Sequence, residues 1–200
     1  MAREHVSPTI TADRPGSAPT ITSARLTLRP WSADDADAAL RVYGEDAVAR
    51  WLSPAMDRVQ DAAAMRDVLE DWIEEVAGLE PPQGRWAVEL ADTGRLVGGI
   101  ALLPLPPEGE DLEIAWQLAP DAWGRGFAAE AGHAVAHHAF GSGVEELFAV
   151  VRDRNTRGAA TAQRVGMEWV GETDKYYDLR LQVYRLRKGD LDAELDPVAG

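Results

Sequence analysis

The stretch QLAPDAWGRGFAAEA, Gln117 to Ala131, decides how this chain is read. It follows the apolar-polar alternation of Leu112–Leu118, the signature of a strand. Pro120 stops that strand, Gly124 and Gly126 follow closely, and an Ala-rich helical run begins. The first amides of a helix have no intrahelical partner, and the helix dipole adds partial positive charge there, so such an end attracts phosphate. Glycines just ahead of it let the main chain approach a diphosphate without a Cβ in the way. Arg125 adds a charge to the same turn. The pattern predicts a phosphate-holding bend.

Composition narrows what such a bend serves. Asp and Glu total 34 against 20 Lys and Arg, a net charge of -14. That balance argues against nucleic-acid or anionic-membrane partners and is compatible with cationic substrates. With no cysteine, disulfides, thiolate metal sites and cysteine nucleophiles are excluded. No apolar run approaches membrane-spanning length, and the start lacks the apolar middle of a signal peptide, so a cytoplasmic location is the expectation. Residues 1–22, which mix Pro, Ser, Thr, Gly and charge, are expected to form a flexible tail. The acidic residues 189–200 are expected to form another, leaving one domain over 23–188.

Working outward from the bend, a first strand is expected at Leu26–Trp31, with Ser32 as N-cap of a helix through Tyr43. A second helix after Ser53-Pro54 carries Met65, Val68, Leu69, Trp72, Ile73 and Val76 on one face. Strands at Trp86–Leu90 and Leu96–Leu103 flank the hairpin turn Asp92-Thr93-Gly94. Beyond the helix that ends near Gly141, the apolar Leu147–Val151 reads as a strand buried on both faces. A helix over 156–165 closed by Gly166, then strands Glu168–Thr173 and Leu181–Leu186, complete the order. Hairpins plus one strand–helix–strand crossover imply an α+β fold with a mixed sheet.

That order, with the segments ARLTLRPWSADDADA, WAVELADTGRLVGG, EIAWQLAPDAWGRGFAAEA and NTRGAATAQRVGMEWVG, resembles the GCN5-related N-acetyltransferases (GNAT). It is closest to their ribosomal-protein N-terminal acetyltransferase-like (RimJ/RimL-type) branch. The likeness covers about residues 23–188. It implies a mostly antiparallel, twisted sheet of about seven strands with helices on both faces, splayed between the fourth and fifth strands. It implies acetyl-CoA as cosubstrate, its diphosphate held by Trp123, Gly124, Arg125, Gly126, Phe127 and Ala128. The backbone of Trp116, Gln117 and Leu118 would pair with the pantetheine arm, and Asn155 would contact it. The implied reaction is direct acetyl transfer to a primary amine. A protein N-terminal amine is the first choice, and a small amine (amino acid, polyamine or aminoglycoside) the second. Homodimers are common among relatives.

Three positions depart from the pattern. Trp123 stands where Gln or Arg often begins the glycine motif, Gly158 where the branch often has Ser, and Ala162 where many relatives have a Tyr that protonates the leaving thiolate. The last two leave open a non-catalytic acetyl-CoA-binding module. Glu113, an acid interrupting an apolar run, is the candidate base, against the alternative of a solvent-facing strand charge. Tyr176, Tyr177 and Tyr184 could replace the missing acid, although cross-strand packing is their commoner role. Trp51, Trp86 and Trp116 are candidates to line an acceptor pocket, against the more frequent core role of Trp. Glu108, Glu110 and Asp111 could attract an ammonium.

Gly124–Ala129 also fits the dinucleotide fingerprint, but Ala119–Trp123 separates strand from glycine and the repeated strand-helix units are lacking. His133 and His137 lie one turn apart without an evident third ligand, so no metal is expected.

Overall fold

A computed structural model describes residues 7–12, 16–52, 56–107, 109 and 111–191. The elements are β1 (Thr9–Thr11), β2 (Thr20–Thr22), β3 (Leu26–Pro30), α1 (Ala36–Tyr43), α2 (Asp46–Ala49), α3 (Ala62–Ala77), β4 (Gly84–Leu90), β5 (Leu96–Pro104), β6 (Leu112–Leu118), α4 (Phe127–Gly141), β7 (Glu146–Arg152), α5 (Thr156–Arg164), β8 (Glu168–Thr173) and β9 (Leu181–Arg187). One sheet holds all nine strands in the order β1-β2-β3-β4-β5-β6-β7-β9-β8. Every pairing is antiparallel except β6 with β7.

Local chemistry explains the element ends. Ser32 accepts from the Asp34 amide at 3.3 Å and its own amide donates to Asp35 at 2.9 Å, a reciprocal cap for the turn that leads into α1. Asp61 caps α3 through the Ala64 amide at 2.9 Å. Gly166, with φ +92°, ends α5 as the sequence predicts.

The strand alternation sorts side chains between two cores. On one face, Leu28, Trp86, Val88, Ile114 and Leu118 pack against α4 and α5 through Phe127, Val135, Ala139 and Ala162. On the other, Trp31 and Ala87 pack against α1 and α3 through Val42, Tyr43, Met65 and Leu69. Gly99 of β5 makes this second layer possible: a Cβ there would collide with the Tyr43 hydroxyl and lie 2.8 Å from Trp31 Cζ2.

The expected seven strands, β3 to β9, are present, and two more precede them. The supposed tail is therefore partly built into the sheet. Ile21 is fully buried and pairs with Leu28, and Pro19 accepts the Trp86 indole N–H at 2.7 Å. At the other end Leu191, inside the supposed acidic tail, is also buried. The Ser53-Pro54 helix start and the acidic pair Glu108 and Glu110 lie outside the described residues. Among the described residues, no helix is long and apolar enough to cross a membrane.

Candidate active site

The site originates in a strand separation. β6 and β7 share a single paired position, Glu113 with Phe148. Beyond it the strands diverge, so the β6 edge from Ile114 to Leu118 has no strand partner on that side among the described residues. This is the splay expected between the fourth and fifth of the seven predicted strands. A cleft of about 770 Å³ fills the gap, within the range of small-molecule sites.

One end of the cleft is walled by the glycine bend. Gly124 and Gly126 take left-handed φ of +72° and +80°, which only glycine adopts without strain. A Cβ at Gly124 would meet nothing within 4 Å, so open space borders the bend. The first α4 bond runs from the Glu130 amide to the Gly126 carbonyl at 3.0 Å, leaving the Phe127, Ala128 and Ala129 amides ahead of the ladder. The Trp123 amide is already bonded to Pro120 at 3.2 Å, so this residue contributes its ring instead. The ring lines the cleft with the Arg157 guanidinium 3.8 Å from its centroid. These features fit a diphosphate.

Arg125 stands apart from this arrangement. Its side chain lies over the Phe127 ring rather than in the cleft, and its carbonyl accepts from Arg25 Nη1 at 3.0 Å. Arg25 also binds Glu130 through Nε at 2.6 Å, tying the bend to the start of β3. Asn155 lines the cleft as the N-cap of α5, its Oδ1 accepting from the Gly158 amide at 3.1 Å. A Cβ at Gly158 would sit 2.8 Å from Asn155 Nδ2, so a larger residue there requires the Asn155 side chain to shift.

Glu113 sits where the strands part, 9% exposed. Burial pushes its carboxyl up to about 7, opposed by hydrogen bonds from the Tyr177 hydroxyl and the Val150 backbone and by the charge of Arg85. Tyr177 donates to Glu113 Oε2 at 2.9 Å and is itself raised by burial and by that carboxylate. Tyr177 and Asp178 both have positive φ, +56° and +53°, in the turn between β8 and β9, so local strain is spent on holding this phenol against Glu113. The sequence ranked it among three tyrosines; the other two bond elsewhere, Tyr176 to Asp111 at 2.6 Å and Tyr184 to Gln182 at 3.2 Å. Ala162, at the usual tyrosine position, is fully buried.

Gln117 lines the cleft and accepts from the Tyr43 hydroxyl at 3.3 Å. Trp51, Trp116 and Leu118 line it as well. Trp86 does not: it is fully buried two strands away in the core against α4, edge-on to His138. Its neighbour Arg85 faces the cleft instead, a residue the sequence reading passed over. The signal was available, because alternation in β4 must put Arg85 and Trp86 on opposite faces.

Comparison with known proteins bears on this geometry. Residues 25–168 match the family model "Acetyltransferase (GNAT) domain". The Bacillus subtilis (strain 168) protein named "Uncharacterized N-acetyltransferase YoaA" is 27% identical over 160 residues, covering 79% of this chain and 88% of that protein. Among solved structures, an acetyltransferase from Agrobacterium tumefaciens str. C58 superposes with a TM-score of 0.69 at 26% identity, covering 86% of this chain and 96% of the other. Mycobacterium smegmatis RimJ in complex with CoA-disulfide gives 0.70 at 19% identity, covering 93% and 88%. The chain thus belongs to the GNAT family of acetyltransferases, with acetyl-CoA as its acyl donor.

Proposed function

We propose that this enzyme acetylates a primary amine directly, with Glu113 as general base and Tyr177 as the partner that returns a proton to sulfur. Acetyl-CoA supplies a thioester whose carbonyl carbon is open to attack. Gly124, Gly126, Phe127 and Ala128 would hold its diphosphate, with the Trp123 ring walling the cleft beside it, Trp116–Leu118 its amide-bearing arm, and Asn155 the same arm from across the cleft.

Glu113 takes one proton from the acceptor ammonium, which frees the nitrogen lone pair to form the C–N bond. The C–S bond breaks with its electron pair on sulfur. Of the two protons that nitrogen gives up, one passes through Glu113 and Tyr177 to sulfur and the other leaves to solvent. No covalent enzyme intermediate is required, and the chain has no cysteine to form one by thiol chemistry.

The observation that carries this reading is Glu113, a buried carboxyl moved to about 7 and bonded to a tyrosine in the cleft. Such a pair supports catalysis over a non-catalytic binding module. A protein N-terminal amine is the first choice of acceptor, in keeping with the likeness to the RimJ/RimL-type branch, and a small amine comes next. Thiol release from acetyl-CoA, followed with a panel of amines, tests the proposal. Amine-dependent release that falls at least 100-fold in Glu113→Gln is expected. Equal rates in a folded variant would remove Glu113 from the mechanism.

A further inference from the structure

Resting on the amine-acetylation reading, we propose that the acceptor carries a carboxylate beside its amine, and that Arg85 receives that carboxylate across the sheet floor from Glu113. The register fixes the arrangement. Arg85 pairs with Ala101, and Ala101 with Ala115, across β4, β5 and β6. Glu113 lies two residues from Ala115 and therefore shares its face. Arg85, Ala101, Ala115 and Glu113 all line the cleft. Two strand spacings of about 4.8 Å and two residues of about 3.3 Å place the Arg85 and Glu113 Cα atoms about 12 Å apart. Of the same-face positions between them, Ala101 and Ala115 are small and leave room for a small bifunctional group, while Leu103, paired with Glu113, forms an apolar side of that space.

The guanidinium is prepared for a planar anion. Its Nε donates to Glu75 Oε2 of α3 at 2.6 Å, and it lies over the Trp72 ring, 5.0 Å from the centroid. Both contacts orient its plane. Neither terminal nitrogen has a hydrogen-bond partner among the described residues, so the fork that fits a carboxylate remains available. Its charge reaches Glu113, Tyr43 and Tyr177, opposing in part the burial that raises all three. The other arginines lining the cleft stand elsewhere: Arg157 and Arg164 on α5, and Arg152 at the end of β7 with Nη1 on the Arg50 carbonyl. Asp71 of α3 lines the cleft too.

A carboxylate beside an amine has two sources: the free α-carboxylate of an amino acid, or an acidic first side chain on a peptide. Paired probes separate them, L-alanine against L-alaninamide, and Asp-Ala-Ala-amide against Asn-Ala-Ala-amide, with spermidine as an amine lacking any acid. In one pair at least, kcat/KM for the acid member exceeds that for its amide tenfold or more. Arg85→Gln lowers that ratio at least tenfold and Arg85→Lys partly restores it, thermal melting showing both variants folded. The ratio isolates the contact, because a change in Glu113 basicity affects both members alike. Equal use of both members in both pairs overturns the proposal, as does a ratio unchanged in Arg85→Gln. Turnover of spermidine alone overturns it and spares the amine reading; turnover of no amine, these or any others in the panel, takes down both.

Discussion

At the residue scale, Glu113 has two measurable consequences. Because its folded-state pKa of about 7 lies above its ordinary 4.5, the folded protein keeps a proton that the unfolded chain has released. The stability this contributes is fully present below pH 4.5 and is lost as pH rises through 7, on the order of 3 kcal/mol in all. Denaturant unfolding from pH 5 to 8 should therefore show wild type losing stability relative to Glu113→Gln; parallel curves would contradict the burial argument. As the proposed general base the same group must be ionised, so kcat/KM should rise with pH and level off above about 7. Tyr177→Phe deletes a hydrogen bond that holds this pKa down, so the acidic limb should move to higher pH while kcat falls. An unmoved limb would mean that the contact is not maintained in the working enzyme. Glu113 was legible as an acid breaking an apolar strand; Tyr177 was legible only as one of three tyrosines, because a turn with two left-handed residues decides which one reaches the carboxylate.

At the scale of elements, the glycine bend carries the cofactor claim. Gly126 sits at φ +80° directly before α4, so Gly126→Val forces an L side chain into a region it rarely enters and distorts the amides beside it. Coenzyme A affinity measured by calorimetry should fall at least tenfold, about 1.4 kcal/mol. This element could be read from sequence because Pro, Gly and an Ala-rich run each act locally. β1 and β2 could not. Thr9–Thr11 and Thr20–Thr22 are three residues each, set among Pro, Gly and Ser, and they are strands only because β3 offers an edge. Ile21→Ala should then cost roughly 2–5 kcal/mol in unfolding free energy, as a buried aliphatic truncation does, whereas in a loose tail it would cost nothing.

At the scale of the whole molecule, the two layers of helices and the strand separation create the cleft that we propose both substrates share. The fold class was legible because β6, the bend, α4 and β7 form a crossover among hairpins, and its parallel pair is the one that opens; a second crossover, β7–α5–β8, spans β9 and leaves no parallel pair of its own. The proposed acceptor end was not legible: it combines Tyr43 of α1, Trp72 of α3, Arg85 of β4 and Tyr177, cleft-lining residues far apart in sequence. Coenzyme A at 100 times its Kd should raise the melting temperature by roughly 5–10 °C, and NAD at the same concentration should not.

The most direct test is a crystal structure of this protein with coenzyme A. The diphosphate should rest against the main-chain amides between Gly124 and Ala128, with the sulfur between the parted β6 and β7, near Glu113. A nucleotide bound elsewhere, with the bend vacant, would contradict the account.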